Sequence, residues 1–420
     1  MVGAGAIMAR RWRKAAPAPI YGATPAIPKA EPQTIPILKM PTARGWREGE
    51  LPVVAPGLKV NAFARELDHP RQMLVLSNGD VLVAEALTPP FPVRSAFDYA
   101  NLATMRRAGA IGKSANRITL LRDEDRDGVA EARYALLEGL TQPFGMALVD
   151  NTLYVANTDG VVSFPYETGQ TRITASPRRL TTYKTGGHWT RNLIVSPDKK
   201  RLYVAVGSQT NIADQGFAAE EGRACIFELD LGTGHERMFA SGLRNPVGMA
   251  FEPTTNALWT VVNERDGIGD ETPPDYLTSV VDGAFYGWPY SYWGKVVDDR
   301  VPQNADMVAR ARVPDYALGG HTASLGLCWV PAGTLPGCPE GMAIGQHGSW
   351  NRSMLSGYQM VLVPFANGHP TGEPRVILSG FLAPDEKFAF GRPVGTALAR
   401  DGAVLLADDV GNVIWRVSAA

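Results

Sequence analysis

The first residue with chemistry to offer is His188, in the run Thr185-Gly186-Gly187-His188-Trp189 just ahead of an apolar, β-branched stretch. Flanking glycines around one imidazole describe a loop at a mouth rather than a core position. An imidazole titrates near working pH, so His188 reads as a general base, although a solitary histidine is otherwise a structural residue. Two arginines open similar segments, Arg244 in Arg244-Asn245-Pro246 and Arg392 in Gly391-Arg392-Pro393. Guanidinium groups taken out of water need an anion. The pair therefore reads as a seat for carboxylates or phosphates, with structural salt bridges as the alternative. His347-Gly348-Ser349-Trp350-Asn351-Arg352 ends a strand in a loop that could line the same mouth.

Two segments offer oxygen ligands. Asp123, Asp125 and Asp127 alternate ahead of Gly128, a pattern that suits an oxygen-ligated calcium. The bidentate acid of an EF-hand is missing, because that position is Tyr134. A calcium-binding β-turn and a solvated acidic turn both remain. The second segment is Asn263-Glu264-Arg265-Asp266 with Gly269-Asp270-Glu271, which reads either as a hard-cation loop or as a hydrated one. The aromatic run from Tyr286 to Trp293 could stack on sugar rings or simply pack. Gly109-Ala110-Ile111-Gly112-Lys113-Ser114 ends like a phosphate-binding loop, but its glycines are too close together.

The elements that must position these residues are repeats. The copies are 69–86, 142–160, 190–208, 244–264, a degenerate 322–337, and 391–412. Each is an apolar strand, a turn such as Asn78-Gly79 or Asp401-Gly402, and a second strand with β-branched residues. Each reads as the inner half of a four-stranded antiparallel blade. Six blades packed radially bury their faces and protect their edges, so the expected fold is an all-β, six-bladed β-propeller with loop and short helical insertions. Arginines at equivalent repeat positions then converge on its axis. Composition agrees: 420 residues with 44 Gly and 32 Pro, and 45% hydrophobic, give many turns and a sizeable core. A net charge of −1 gives no footprint for nucleic acid, and no apolar run is long enough for a membrane helix. Residues 95–109 read as helical and 265–320 as a long loop region. The domain reading is a Pro-rich N-terminal arm over 1–50 and the propeller over 51–420. Arg10 to Lys14 resembles the start of an export signal, but no apolar stretch follows. Cys328 and Cys338 could form a loop disulfide or stay reduced.

GGHWTRN (186–192), GLRNPVGMAFEP (242–253), NERD with a later GD (263–270), GAFYGWPYSYWG (283–294) and QHGSWNRS (346–353) together resemble the glucose/sorbosone dehydrogenase family of soluble quinoprotein sugar dehydrogenases. The resemblance spans about residues 56–418. It implies a six-bladed propeller, a pyrroloquinoline quinone (PQQ) cofactor and Ca2+. The implied activity is oxidation of an aldose or a sorbosone-like sugar aldehyde, with electrons passed on to a quinone or small redox protein. The implied setting is periplasmic or otherwise exported. By motif position His188 is the catalytic base, and Arg244, Asn245 and Arg392 are cofactor contacts. Asn351 or Arg352 falls near a cofactor lysine, and Gln142 is a further expected contact. Arg265 and Asp266, with Asp270, align with the calcium segment; Asp123, Asp125 and Asp127 are the other metal candidates. Val394 stands where the better-studied enzymes have a second arginine, and Gly187 where they have an acid. The rival reading is a calcium-dependent lactonase with Glu85, Asn157, Asn263 and Asp408 or Asp409 around an axial ion. A third is a non-catalytic binding propeller.

Overall fold

The computed structural model describes residues 20–33, 37–89, 93 and 96–420; the export-like run Arg10 to Lys14 lies outside the described residues. Six antiparallel sheets form the body. Blade 1 comprises Pro70–Val75, Val81–Glu85, Arg117–Arg122 and Ala132–Leu137. Blade 2 is Met146–Val149, Thr152–Asn157, Gly160–Pro165 and Arg178–Arg179; blade 3 is Arg191–Val195, Arg201–Val206, Cys225–Asp230 and Glu236–Ser241. Blade 4 is Pro246–Glu252, Ala257–Val262, Pro274–Ser279 and Tyr316–Gly320; blade 5 is Cys328–Val330, Gly341–Gln346, Gln359–Ala366 and Arg375–Ser379. Blade 6 takes Pro393–Leu398, Val404–Asp408 and Val413–Ala419, and borrows Leu58–Ala64 as its outer strand. The first strands of the blades neighbour one another around a closed ring. Five of the six sequence repeats are thus the inner halves of their blades, and the degenerate 322–337 copy covers only the first strand of blade 5, whose second strand is Gly341–Gln346.

The inner strands are apolar at nearly every position because a blade is covered on both faces. Val81–Glu85 and Gly341–Gln346 are buried throughout. Glycine sets how closely blades approach at the axis. A Cβ on Gly145 would lie 2.2 Å from the Leu193 nitrogen, and one on Gly326 would lie 2.1 Å from the Val394 oxygen. Proline opens the first strand of blades 1, 4 and 6, and the register shifts just after it in each. Such bulges re-aim the side chains beside them.

The 95–109 insertion carries a helix over Ala96–Arg107. The 265–320 region, read as loop, contains the two outer strands of blade 4, a short Ser291–Tyr292/Val296–Val297 pair and a helix over Ala305–Arg310. Its excursion 280–315 returns to the far end of the blade, where Trp288 Nε1 donates to the Asn211 carbonyl at 3.0 Å. Tyr286, Trp288, Tyr292 and Trp293 are buried, so this aromatic run packs. Described parts of the arm lie along the propeller. Tyr21–Gly22 adds to the edge of blade 4, and Thr42–Ala43 runs parallel to Phe388–Ala389. Trp46 packs edge-on to Phe381 and Trp415 and donates to Asp408 Oδ2 at 2.7 Å. Cys225, Cys328 and Cys338 are unbonded. No helix among the described residues is long and apolar enough to cross a membrane.

Trp415 sits on the strand that receives Leu58–Ala64 and is fully buried. Trp415→Ala should cost about 3–5 kcal/mol, read in urea unfolding as a lower midpoint at unchanged slope.

Candidate active site at the strand-entry face

The first strand of every blade begins, and the second ends, on one face. His188 stands there at the entry to blade 3. Two buried arginines build its loop. Arg191 Nη1 donates to the His188 carbonyl at 2.7 Å, and its Nη2 donates to that of Lys184 at 3.0 Å. Arg223 donates to the carbonyls of Lys184 and Gly186 at 2.7 Å and of Ser208 at 3.0 Å. The imidazole is half-buried. Its Nδ1 lies 2.9 Å from the Ser208 carbonyl oxygen, which can only accept, so Nδ1 carries the proton. Nε2 is therefore the basic nitrogen, and it has no hydrogen-bond partner among the described residues. Burial, then the neighbouring Arg244 cation, pushes the ring pKa down to about 3. Gly207 makes the arrangement possible: a Cβ there would lie 2.2 Å from Asn245 Oδ1 and 2.6 Å from His188 Cβ.

Arg244, at the entry to blade 4, is 5% exposed. Nη1 donates to the Glu264 carbonyl at 2.7 Å, and Nη2 to Asn211 Oδ1 at 3.0 Å and Asp266 Oδ2 at 3.2 Å. Asp266 Oδ1 accepts from Asn351 Nδ2 at 2.6 Å and faces His321 Nδ1 at 3.4 Å. Burial works upward on the Asp266 carboxyl, but Arg244 and His321 overcome it and hold the group well below the usual range. Asn245 is buried with its Oδ1 unpartnered.

Arg392 differs from Arg244. It is 6% exposed and gives Nε to the His347 carbonyl at 3.0 Å and Nη2 to that of Gly348 at 2.7 Å. It has no carboxylate partner among the described residues. On the first strand of blade 1 stands Arg71, ion-paired with Asp409, its guanidinium 5.4 Å from the Trp189 ring and 5.7 Å from that of Phe144. Arg71 Nε is buried without a partner. Asp409 also faces His347 Nε2 at 2.9 Å and His69 Nε2 at 3.2 Å. A cavity of about 220 Å³ opens beside His69 and Asp409, also lined by Ala43, Leu87 and Lys113.

The structure thus brings together His188, Arg244, Asn245, Arg392 and Asn351. Arg352 sits behind them, donating to the Gly320 carbonyl at 2.8 Å and paired with buried Glu271. Gln142 lies on the same face, just ahead of the first strand of blade 2, and its backbone N–H donates to Asn116 Oδ1 at 3.2 Å. Asp123, Asp125 and Asp127 lie on the opposite face, where Asp123 shares a cavity of about 320 Å³ with the Asn78-Gly79 turn. They belong to a different site from Asp266, and Glu131 completes their cluster. Sequence reasoning missed Arg71, Ser208, Asn211, Arg223 and His321. Arg71 alone left a signal, because it follows the proline of the first repeat.

Three buried guanidinium groups, one without a counter-charge and one with an orphaned N–H, fit a cofactor bearing several carboxylates. The 263–270 loop does not fit the calcium expected of it. The Asp266 carbonyl accepts from Asn211 Nδ2 at 3.1 Å and from Arg265 Nη2 at 3.0 Å. Arg265 itself is 1% exposed and paired with buried Asp298, and Asp270 Oδ2 accepts from the Ser353 N–H at 3.1 Å. The rival axial-ion arrangement fares no better. Glu85 is held by Arg117 and Thr119, and Asp408 by Trp46 and Trp415.

Residues 112–275 match the TrAA12-like family model. An uncharacterized protein of Borreliella burgdorferi is 28% identical over 302 residues, covering 68% of this chain and 77% of that one. Among solved structures, the iodide structure of Trichoderma reesei Carbohydrate-Active Enzymes Family AA12 superposes with a TM-score of 0.71 at 22% identity, over 88% of this chain and 98% of that chain. The holo form of the pyranose dehydrogenase PQQ domain from Coprinopsis cinerea gives 0.70 at 19% identity, over 90% and 100%. The resemblance read from the motifs is met by these comparisons, and the shared fold is the six-bladed propeller.

The depressed His188 pKa has a sign that can be checked. The folded ring refuses a proton that the unfolded one accepts near pH 6.5, so this group's contribution lowers stability as pH falls from there toward 3. In NMR titration the His188 ring should stay neutral from pH 7 to below pH 5. Titration near 6.5 would refute the assigned environment.

Proposed function

We propose that this protein is a PQQ-dependent sugar oxidoreductase acting on an aldose or a sorbosone-like sugar aldehyde. The observation that carries this is Arg392, a buried guanidinium with no carboxylate partner among the described residues, on the same rim as a histidine whose free nitrogen is basic. Arg392, Arg71 and Arg244 would hold the carboxylates of PQQ. When bound, PQQ supplies the acceptor for the hydride that leaves the sugar's C1. His188 Nε2 takes the proton of the C1 hydroxyl, which an aldose carries as its hemiacetal and a sugar aldehyde as its hydrate, and the Ser208 carbonyl steadies the Nδ1–H as the ring becomes positive. An anion in the pocket offsets the Arg244 charge that depresses His188, so the ring becomes a stronger base when the anionic cofactor is present. The electrons then pass to a quinone or a small redox protein, in an exported setting.

Reconstitution of the purified chain with PQQ, followed by dye reduction across aldoses and sugar aldehydes, tests this reading. His188→Ala should keep PQQ affinity and lower turnover by about 10²-fold or more. Wild-type turnover in that variant, or lactone hydrolysis without added cofactor, would refute it.

Calcium has a second candidate place, and we assign it there. Asp123, Asp125, Asp127 and Glu131 bring carboxylate oxygens within 4.8 Å of one another in a single turn of blade 1. An oxygen set of this kind suits a hard cation that ties down a hairpin. Added Ca2+ should raise the melting temperature of the wild type, and Asp125→Asn should remove most of that rise.

A further inference from the structure

We propose that no divalent ion sits at the 263–270 loop, and that Arg244, bonded to the loop's own carbonyls and paired with Asp266, occupies the place a cation would take there. The proposal rests on the cofactor reading above and goes beyond it. Most of the loop's backbone oxygens are already engaged. Arg244 Nη1 donates to the carbonyls of Asn263 at 3.3 Å and Glu264 at 2.7 Å. The Asp266 carbonyl accepts from Asn211 and Arg265, and both Asp266 carboxylate oxygens face Asn351, His321 and Arg244. The Gly267 carbonyl accepts from the Gln33 N–H at 3.1 Å and Arg300 Nη1 at 3.2 Å. Those of Ile268 and Gly269 accept from the Glu31 N–H at 2.8 Å and His321 Nε2 at 2.9 Å. Glu264 Oε1 and Asp270 Oδ1 are left as unpartnered carboxylate oxygens. No three ligating side chains of the loop come together among the described residues; the four-carboxylate cluster of blade 1 is where such a group forms. Calcium takes six to eight oxygens, and here it would have to displace N–H donors and sit against a fixed guanidinium.

Arg265 is the residue that closes the loop to a metal. It folds back so that Nε and Nη2 cover the Asp266 carbonyl, and Nη1 pairs with buried Asp298. All five N–H groups of Arg244 are spent on acceptors of this chain, because Nε also donates to the Asn211 carbonyl at 3.3 Å, so the guanidinium ties the loop together as an ion would. The Arg244 side chain is covalently part of the chain, so it does so without the exchange that a bound ion permits.

The experiment counts calcium and measures PQQ binding on the full chain. Protein stripped with EDTA is dialysed to equilibrium against Ca2+, as wild type and as the double variant Asp125→Ala/Asp127→Ala, which lacks the cluster on the opposite face. PQQ affinity is read from quenching of tryptophan fluorescence, with EDTA and with Ca2+. The expected result is at most one calcium per wild-type chain and none in the double variant. PQQ affinity should differ by less than about threefold between the two conditions, and Arg244→Met should weaken it by about tenfold or more with no rescue by Ca2+. One calcium retained by the double variant, or two by the wild type, would overturn the proposal. So would PQQ affinity that falls about tenfold in EDTA and returns with Ca2+. The calcium count decides the cation question by itself, whereas PQQ that binds under neither condition refutes the cofactor reading instead.

Discussion

Bonding of buried guanidinium groups to backbone carbonyls holds the functional face of this propeller in place. Arg191 and Arg223 carry no ion pair among the described residues and spend their donors on the loop that presents His188. Arg244 does the same for the Asn263 and Glu264 carbonyls, and Arg392 for those of His347 and Gly348. A planar fork with five donors can tie several carbonyls at once. Loops that have no sheet to satisfy them are thereby fixed from beneath. Burial first, and then the nearby Arg244 cation, depress the basicity of His188, while Arg392, which has no carboxylate partner among the described residues, makes the rim receptive to an anion.

The two faces divide their charges. On the strand-entry face guanidinium groups sit under the surface with carboxylates beside them, as Asp266 is beside Arg244 and Asp409 beside Arg71. On the other, Asp123, Asp125, Asp127 and Glu131 crowd into one turn. One end suits an anionic ligand and the other a cation, so ligands of opposite sign need not compete for one site.

The sequence showed the repeats because each inner hairpin combines an apolar run with a turn, and that signal is local. His188, Arg244 and Arg392 were legible because they hold fixed positions ahead of those hairpins. Arg71 was overlooked although it has such a place, because it follows its proline rather than preceding it. Ser208, Asn211 and His321 come from long loops whose course is set by tertiary contacts, and nothing in their own segments marks them. Asp266 was expected as a metal ligand from its acidity; the structure shows the carboxylate occupied by Arg244, Asn351 and His321. The outer strands of blade 4 were hidden because each is short and the long excursion 280–315 separates the two in sequence. Leu58–Ala64 could not be assigned to a blade, because its partner lies at the other end of the chain.

That borrowed strand has a consequence for how the molecule is made. Val60 pairs with Val417 and Ala62 with Trp415, so the ring cannot shut until the final strand exists. A growing chain can complete blades 1 to 5 from their own inner strands while blade 6 waits as an open edge, and open edges recruit other strands. Synthesis therefore ends with the step of greatest sequence separation, a contact of the slow-forming kind.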